Sequence, residues 1–434
     1  MDDYRKLILE LFEDGLKAVQ PGEIMPQTIY KQDGQWNIAG NQFPEQQSFY
    51  IIGAGKAAAI MALAVEDILG NKIAGGCVIT QFQSSRTPKK VRVLLGDHPK
   101  PGVQSLAASK DLISYISTVP TGAVVIFLLS GGASSLMADV PDGITLEELS
   151  TTFEALLHSG ASINEINIVR KHLSKLKGGQ LTKLLSPRQC ITLAISDVPG
   201  DDPAIIGSGP SFPADSTFED AWQVLERYKL LTGLPTSVIA YLRAGLSRQI
   251  PALPAAADAI FENSYYKIIA TNKDVIAAIQ KSAAQRGWNI GELPFPIGGI
   301  AKDFGKKLAD FANHYQGKRP ACLVTGGEST VEVRGNGKGG RNQELALSAS
   351  MYLDNNRPIT LLAAGTDGKD GPTEAAGAIV DQESASRYLS LQLKPGAYLS
   401  DNNAYPILEQ TGQLIFTGPT GNNLMDIVII LVAN

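Results

Sequence analysis

Several stretches of this 434-residue chain place glycines, hydroxyls, carboxylates and cations just past apolar runs, the combination that phosphate and carboxylate chemistry needs. The first is "FYIIGAGKAAAIMALAV", from Phe49 to Val65. Gly53, Gly55 and Ala58 fit the loose G-x-G-x-x-G/A fingerprint of a dinucleotide-binding turn. Backbone amides and the dipole of the following helix would favour an anion there. Lys56, however, stands inside the turn, where a purely dinucleotide-binding loop needs no cation. Two chemistries are therefore open, hydride transfer and phosphoryl transfer. A nicotinamide site also wants an acid at the end of the second strand, about 20 residues on. Here "GGCVITQ" reaches Thr80 and Gln81 without a carboxylate, and only Arg86 nearby suggests a 2′-phosphate preference.

The second stretch, "FLLSGGASSLMADVPDG", runs an apolar strand into Ser130, Gly131, Gly132, Ala133, Ser134 and Ser135. Adjacent glycines let amides approach a ligand and the hydroxyls add donors, a nest for carboxylate or phosphate. A serine-capped strand-to-helix turn would use the same residues. In "INIVRKHLSKLKGGQL", Ile166, Val169, Leu173 and Leu176 form the apolar stripe of a helix. Most of Arg170, Lys171, Lys175 and Lys177 are expected on a solvated face, with Arg170 and Lys177 as candidate phosphate contacts. "LAISDVPGDDPAIIGSGP" ends a strand in Ser196 and Asp197, and a strand-end carboxylate can hold Mg²⁺ or accept a proton. The densest stretch is "TGGESTVEVRGNGKGGRNQELAL". Gly335, Gly337, Gly339 and Gly340 flank Lys338, and Arg341 opens a helix, as a polyphosphate loop requires. In "LLAAGTDGKDGPTEAAGA", Asp367 and Asp370 follow another strand, as metal-linked carboxylates or as D-G turn formers. No G-x-x-x-x-G-K-S/T occurs, H-R-D is absent, and the "DFG" of "KDFGKK" falls in a helical stretch.

The elements that must position these groups alternate between short β-rich runs and helices, the pattern of a parallel sheet wrapped by helices. The length exceeds what one core usually serves, so two domains are expected. They are read as residues 1–250 and 260–434, joined through "LPAAADAI", with an N-terminal helix (1–19) free to pack on either. The second series opens at "SYYKIIATNKD". Its sheet should be mixed, because "ESTVEVRG" follows "ACLVTGG" too closely for a helical crossover. A net charge of −5 offers no basic face for nucleic acid. Cys77, Cys190 and Cys322 are widely spaced within or beside apolar runs and read as buried small hydrophobes. The four histidines show no metal-ligand spacing. No signal peptide or apolar run of membrane-spanning length is recognisable, which fits a reducing cytoplasm.

Taken in order, "GAGKA", "DHPKPG", "SGGASSLM", "NIVRKHLSKLKGGQL", "SDVPGDDPAIIGSGP", "GGESTVEVRGNGKGGRNQE", "AAGTDGKDGPTEAAGA" and "TGPTGNN" closely resemble the glycerate 2-kinase family, whose C-terminal half is called the MOFRL domain. The resemblance implies an ATP-dependent, Mg²⁺-requiring kinase that makes 2-phosphoglycerate from D-glycerate. It also implies two three-layer α/β/α domains, Rossmann-like then mixed, with the active site in the cleft between them. Lys56 and Arg341 match the family's principal catalytic cations; the Ser130–Ser135 loop, Asp197 and Asp367 match other cleft positions.

In the resulting scheme the two cations neutralise the transferring phosphoryl group and the serine loop grips the substrate carboxylate. Gly53, Gly55, Gly337, Lys338, Gly339 and Gly340 cradle the nucleotide phosphates. Asp197 or Asp367 orders Mg²⁺ or takes the hydroxyl proton. The partners are then D-glycerate and a nucleotide, with no nucleic acid or membrane, and the protein is a monomer or homodimer. Two positions depart from the family pattern: Gly102, where an acid is usual, and Asn422, where a threonine is usual. Members have often been labelled hydroxypyruvate reductases. That NAD(P)H-dependent alternative lacks a convincing acid–base histidine and the ribose-binding acid. A non-catalytic nucleotide-binding regulator is the other rival.

Overall fold

A computed structural model describes residues 2–83 and 86–434. The chain forms two compact units, one of Ile24–Ile269 and the other of Met1–Glu23 together with Ala270–Asn434. Both are α/β.

In the Ile24–Ile269 unit six strands lie in the order Val91–Leu95, Ile73–Thr80, Phe49–Ala54, Val124–Leu129, Gln189–Ile195, Ser264–Ala270. The first five pair in parallel. Numbered along the chain, the order is that of a dinucleotide-binding sheet, with strands one and four side by side at its centre. Val124–Leu129 is buried at every position, as a strand covered on both faces must be. The chain runs outward from the middle in opposite directions, so the loops after Ala54 and Leu129 flank the crevice where such sheets bind ligands.

Ser264–Ala270 does not open the second sheet but closes the first. The Cys190 N–H donates to the Asn263 carbonyl at 2.9 Å, which hooks this segment beside Gln189–Ile195. The proline- and alanine-rich stretch before it is thus a connection within the first unit. Residues 29–44 form a three-stranded antiparallel meander, Ile29–Gln32, Gln35–Ile38 and Asn41–Pro44. Its two-residue turns have positive φ throughout, 49° and 75° at Asp33–Gly34 and 50° and 90° at Ala39–Gly40, the geometry that suits hairpin twist.

The second unit has a mixed sheet in the order Asn289–Glu292, Ala321–Gly327, Asp426–Val432, Ile359–Gly365, Gly377–Asp381, Leu414–Ile415. Only the first pair is parallel. The sheet is mixed for another reason than the one anticipated. "VEVRG" runs as a loop, and Asp426–Val432 inserts antiparallel between two strands, bringing Asp426 opposite both Gly327 and Gly365. Helix Asp2–Ala18 belongs to this unit and packs on Asn272–Gln285, where the Ser282 hydroxyl donates to Asp14 at 2.5 Å. Asn422, one of the two departures, donates its amide to the Val19 carbonyl at 2.8 Å and so ties down the end of that helix. The three cysteines are buried and free, as expected. Among the described residues no helix is long and apolar enough to cross a membrane.

Candidate active site

In the first unit the crevice is built by two loops that hold each other. The Lys56 N–H donates to the Gly131 carbonyl at 2.9 Å, and the Ser130 N–H donates to the Ala54 carbonyl at 3.1 Å. The Ser130 hydroxyl accepts from the Ala57 N–H at 3.0 Å, and Thr80 donates its hydroxyl to the Lys56 carbonyl at 3.2 Å. Gly55 has φ 135°, and a Cβ there would overlap the Ser130 side chain. A Cβ on Gly131 would overlap the Asp197 carboxylate. These glycines are therefore fixed by close approach of backbone to neighbouring side chains. Gly53 lies inside its strand, with Leu128 and Val78 filling the room a Cβ would take, so packing accounts for it.

Lys56, the Ser130–Ser135 loop and Asp197 are thus brought together. Burial pushes the Asp197 carboxyl up to about 6, against the Lys56 charge and bonds from its own and the Gly132 backbone amide. The serines are spoken for: Ser134 shares a hydrogen bond with Ser208 at 2.8 Å and Ser135 donates to the Pro99 carbonyl at 2.7 Å. Thr80, at the end of the second strand, is buried. Arg86 is held by both oxygens of Asp67, at 2.7 and 3.1 Å, so it is already engaged. Gly102 begins helix Val103–Thr118, and the Asp97 carboxylate occupies the space its Cβ would need. That carboxylate accepts from the Gln104 and Ser105 N–H groups at 3.0 and 3.2 Å, capping the helix from a distance in sequence.

The basic stretch corrects the expectation of a solvated face. Its helix stops at His172, and Lys171 and Lys177 are buried. Lys177 donates to the Met137 carbonyl at 3.1 Å and pairs with Asp139 at 3.5 Å. Only Lys175 behaves as anticipated, exposed and paired with Asp142 at 2.6 Å.

A second cluster forms in the other unit, where the register of Asp426 gathers groups at one end of the sheet. Arg341 opens helix Arg341–Ser350 and donates through Nε and Nη2 to Asp426, at 2.5 and 2.9 Å. Its Nη1 pairs with Glu328 at 2.5 Å. Burial works against the guanidinium charge, but these carboxylates hold its pKa above the ordinary value. Asp370 caps the same helix, accepting from the Asn342 and Gln343 N–H groups at 3.1 and 2.8 Å. Burial pushes it up to about 7 despite those bonds. Asp370 thus caps the helix, which explains Gly340, whose Cβ would overlap it. Asp367 sits half-buried on the same turn, accepting from the Lys369 N–H at 3.1 Å. Lys338 turns toward Glu374, at 3.3 Å, and the Tyr405 ring, at 3.8 Å. Gly337, Gly339, Gly340 and Arg341 line an open pocket of about 570 Å³ with Glu328 and Asn402. Among the described residues no group of three or more His, Cys, Asp or Glu is arranged to hold a metal. Asp426 escaped the sequence reading. Its signal is a single acid heading a seven-residue strand of otherwise apolar residues.

The Asp197 environment carries a pH prediction. Its folded value, about 6, lies above the ordinary carboxylate value, so the folded state binds more protons than the unfolded one between about 4 and 6. Stability should therefore fall as pH rises through that window and level off above it. Denaturant melts of the wild type and Asp197→Asn at a series of pH values check this: the variant should lose that part of the slope.

The chain is a two-unit α/β protein: one unit carries a dinucleotide-order sheet with a lysine at its switch point, the other a mixed sheet whose end holds an arginine between carboxylates. Residues 7–243 match the domain of unknown function DUF4147, and residues 321–426 match the MOFRL family. The chain belongs to the glycerate 2-kinase family. It is 35% identical to the D-glycerate 2-kinase of Thermotoga maritima, over 99% of each chain. It is 36% identical to the glycerate 2-kinase of Pyrococcus horikoshii, over 100% of this chain and 98% of the relative. Its fold matches the crystal structure of glycerate kinase from Thermotoga maritima with a TM-score of 0.87 and 34% identity, covering 100% of both chains.

Proposed function

We propose that this protein is a glycerate 2-kinase, transferring the γ-phosphoryl group of ATP to the C2 hydroxyl of D-glycerate to give 2-phosphoglycerate and ADP. The observation that carries this reading over the reductase one is at the switch point. Lys56 occupies the turn, and buried Thr80, not a ribose-binding acid, ends the second strand.

Phosphoryl transfer is catalysed mainly by positioning and by charge. Lys56 and Arg341 supply cations for the oxygens of the migrating group, and the Ser130–Ser135 loop holds the acceptor. Asp197, largely ionised at neutral pH, takes the C2 hydroxyl proton as the new P–O bond forms. Mg²⁺ in such sites needs only one or two carboxylates besides the phosphates, and Asp367 would serve, offsetting charge on the nucleotide. Incubation with MgATP and D-glycerate should release ADP and yield a product whose ³¹P-coupled NMR signal is at C2. Oxidation of NADH or NADPH by hydroxypyruvate without ADP release from glycerate would replace this reading with the reductase.

A further inference from the structure

Beside Ser134 and Ser135 a small pocket of about 130 Å³ opens, walled by Leu149, Phe153 and Leu173. Its charges are nearly balanced. Lys177 pairs with Asp139 at 3.5 Å, and Lys100 at the rim pairs with Glu154 at 2.7 Å. Arg170 is the exception. Its Nη1 donates to the Asn167 amide oxygen at 2.8 Å and its guanidinium lies 5.2 Å from the centre of the Phe153 ring. Among the described residues no carboxylate pairs with it. Burial lowers its pKa with no opposing charge to restore it. A guanidinium withdrawn from water costs free energy until a counter-charge arrives, so this pocket lacks one negative charge.

We infer that Arg170 recognises the carboxylate of the acceptor acid. Asn167 occupies one N–H and the Phe153 ring fixes the plane of the fork. A free edge of paired donors remains, the geometry a planar carboxylate fits. The charge count favours a monoanionic group over a polyphosphate, and the apolar wall strengthens the pairing by excluding water. Arg170 therefore makes the site select an acid over the corresponding polyol. This rests on the kinase reading above and assigns the acceptor end of that site.

The test compares wild type, Arg170→Ala and Arg170→Lys in steady-state kinetics, with calorimetric titration of D-glycerate and of glycerol. Arg170→Ala should raise KM for D-glycerate about 10²-fold, with kcat and KM for ATP changed less than about threefold. Arg170→Lys, which keeps the charge but not the fork, should fall between. Glycerol should bind equally poorly to all three proteins. Variants that melt like the wild type yet keep its affinity for D-glycerate would overturn the assignment, as would a rise confined to KM for ATP. Failure of the kinase reading shows separately, as a wild type that releases no ADP with D-glycerate. In that event, calorimetric binding of D-glycerate that survives in Arg170→Ala, or is absent from the wild type, still rejects the assignment.

Discussion

Lys56→Ala should lower kcat by about 10²-fold or more while leaving the fold intact, on the scale of a lost electrostatic contact to the transition state. The fold survives because the loop is held through main-chain atoms. The Lys56 N–H binds the Gly131 carbonyl and the Lys56 carbonyl accepts from Thr80, and neither bond involves the ammonium. What is lost is the charge. Asp197 feels that loss too, since the Lys56 cation is the chief influence holding its carboxyl down against burial. Its value should climb further above about 6, so the acid limb of the kcat profile moves to higher pH in the variant. Lys56→Arg, which keeps a cation with another shape, should recover part of the rate. Turnover near that of the wild type in Lys56→Ala would remove this residue from the mechanism.

Arg341→Ala should have two large effects that a second substitution separates. The first is a fall in kcat of similar size, from loss of the second cation. The second is thermodynamic. Asp426 has no exposed surface and receives two of the Arg341 donors, so truncation strands a buried carboxylate. Breaking a fully buried pair on one side costs about 3–5 kcal/mol, and the partial exposure of Arg341 puts the loss here toward the lower figure. Burial already raises Asp426, and Arg341 is what chiefly counters it. Without that cation the carboxyl takes up a proton more readily, and the variant loses stability as pH rises through the carboxylate range. Arg341→Ala combined with Asp426→Asn removes the stranded charge, so urea melts should recover much of the stability while kcat stays low. Recovery of turnover along with stability would mean that Arg341 is only a strut.

The parts legible in the sequence are those set by local pattern. Apolar runs ending in glycine and serine marked the central strands, and Lys56, the Ser130–Ser135 loop and Asp197 do meet at the crevice of the first sheet. The meander carried its own signal, the Asp33–Gly34 pair between two short β-rich runs, which suits a two-residue hairpin turn. What stayed hidden depends on contacts distant in sequence. Asp370 caps a helix that begins 29 residues earlier, and Asp426 meets Arg341 only because a strand 85 positions on is inserted beside it. Burial of Lys177 was equally invisible, because the helix that would have displayed it ends at His172, and Lys171, within that helix, is buried by elements distant in sequence. Helical periodicity cannot report where a helix stops when no glycine or proline marks the place.

The placement of Asp426–Val432 bears on how the protein is made. A ribosome delivers this middle strand after every neighbour in its sheet, while helix Asp2–Ala18 has its docking partner some 270 residues downstream. Ile24–Ile269 is one continuous stretch and can finish folding on the emerging chain. The other half must wait. A chain cut just before Asp426 would therefore lose the strand that joins Ala321–Gly327 to Ile359–Gly365, and Arg341 would be left without its anchor.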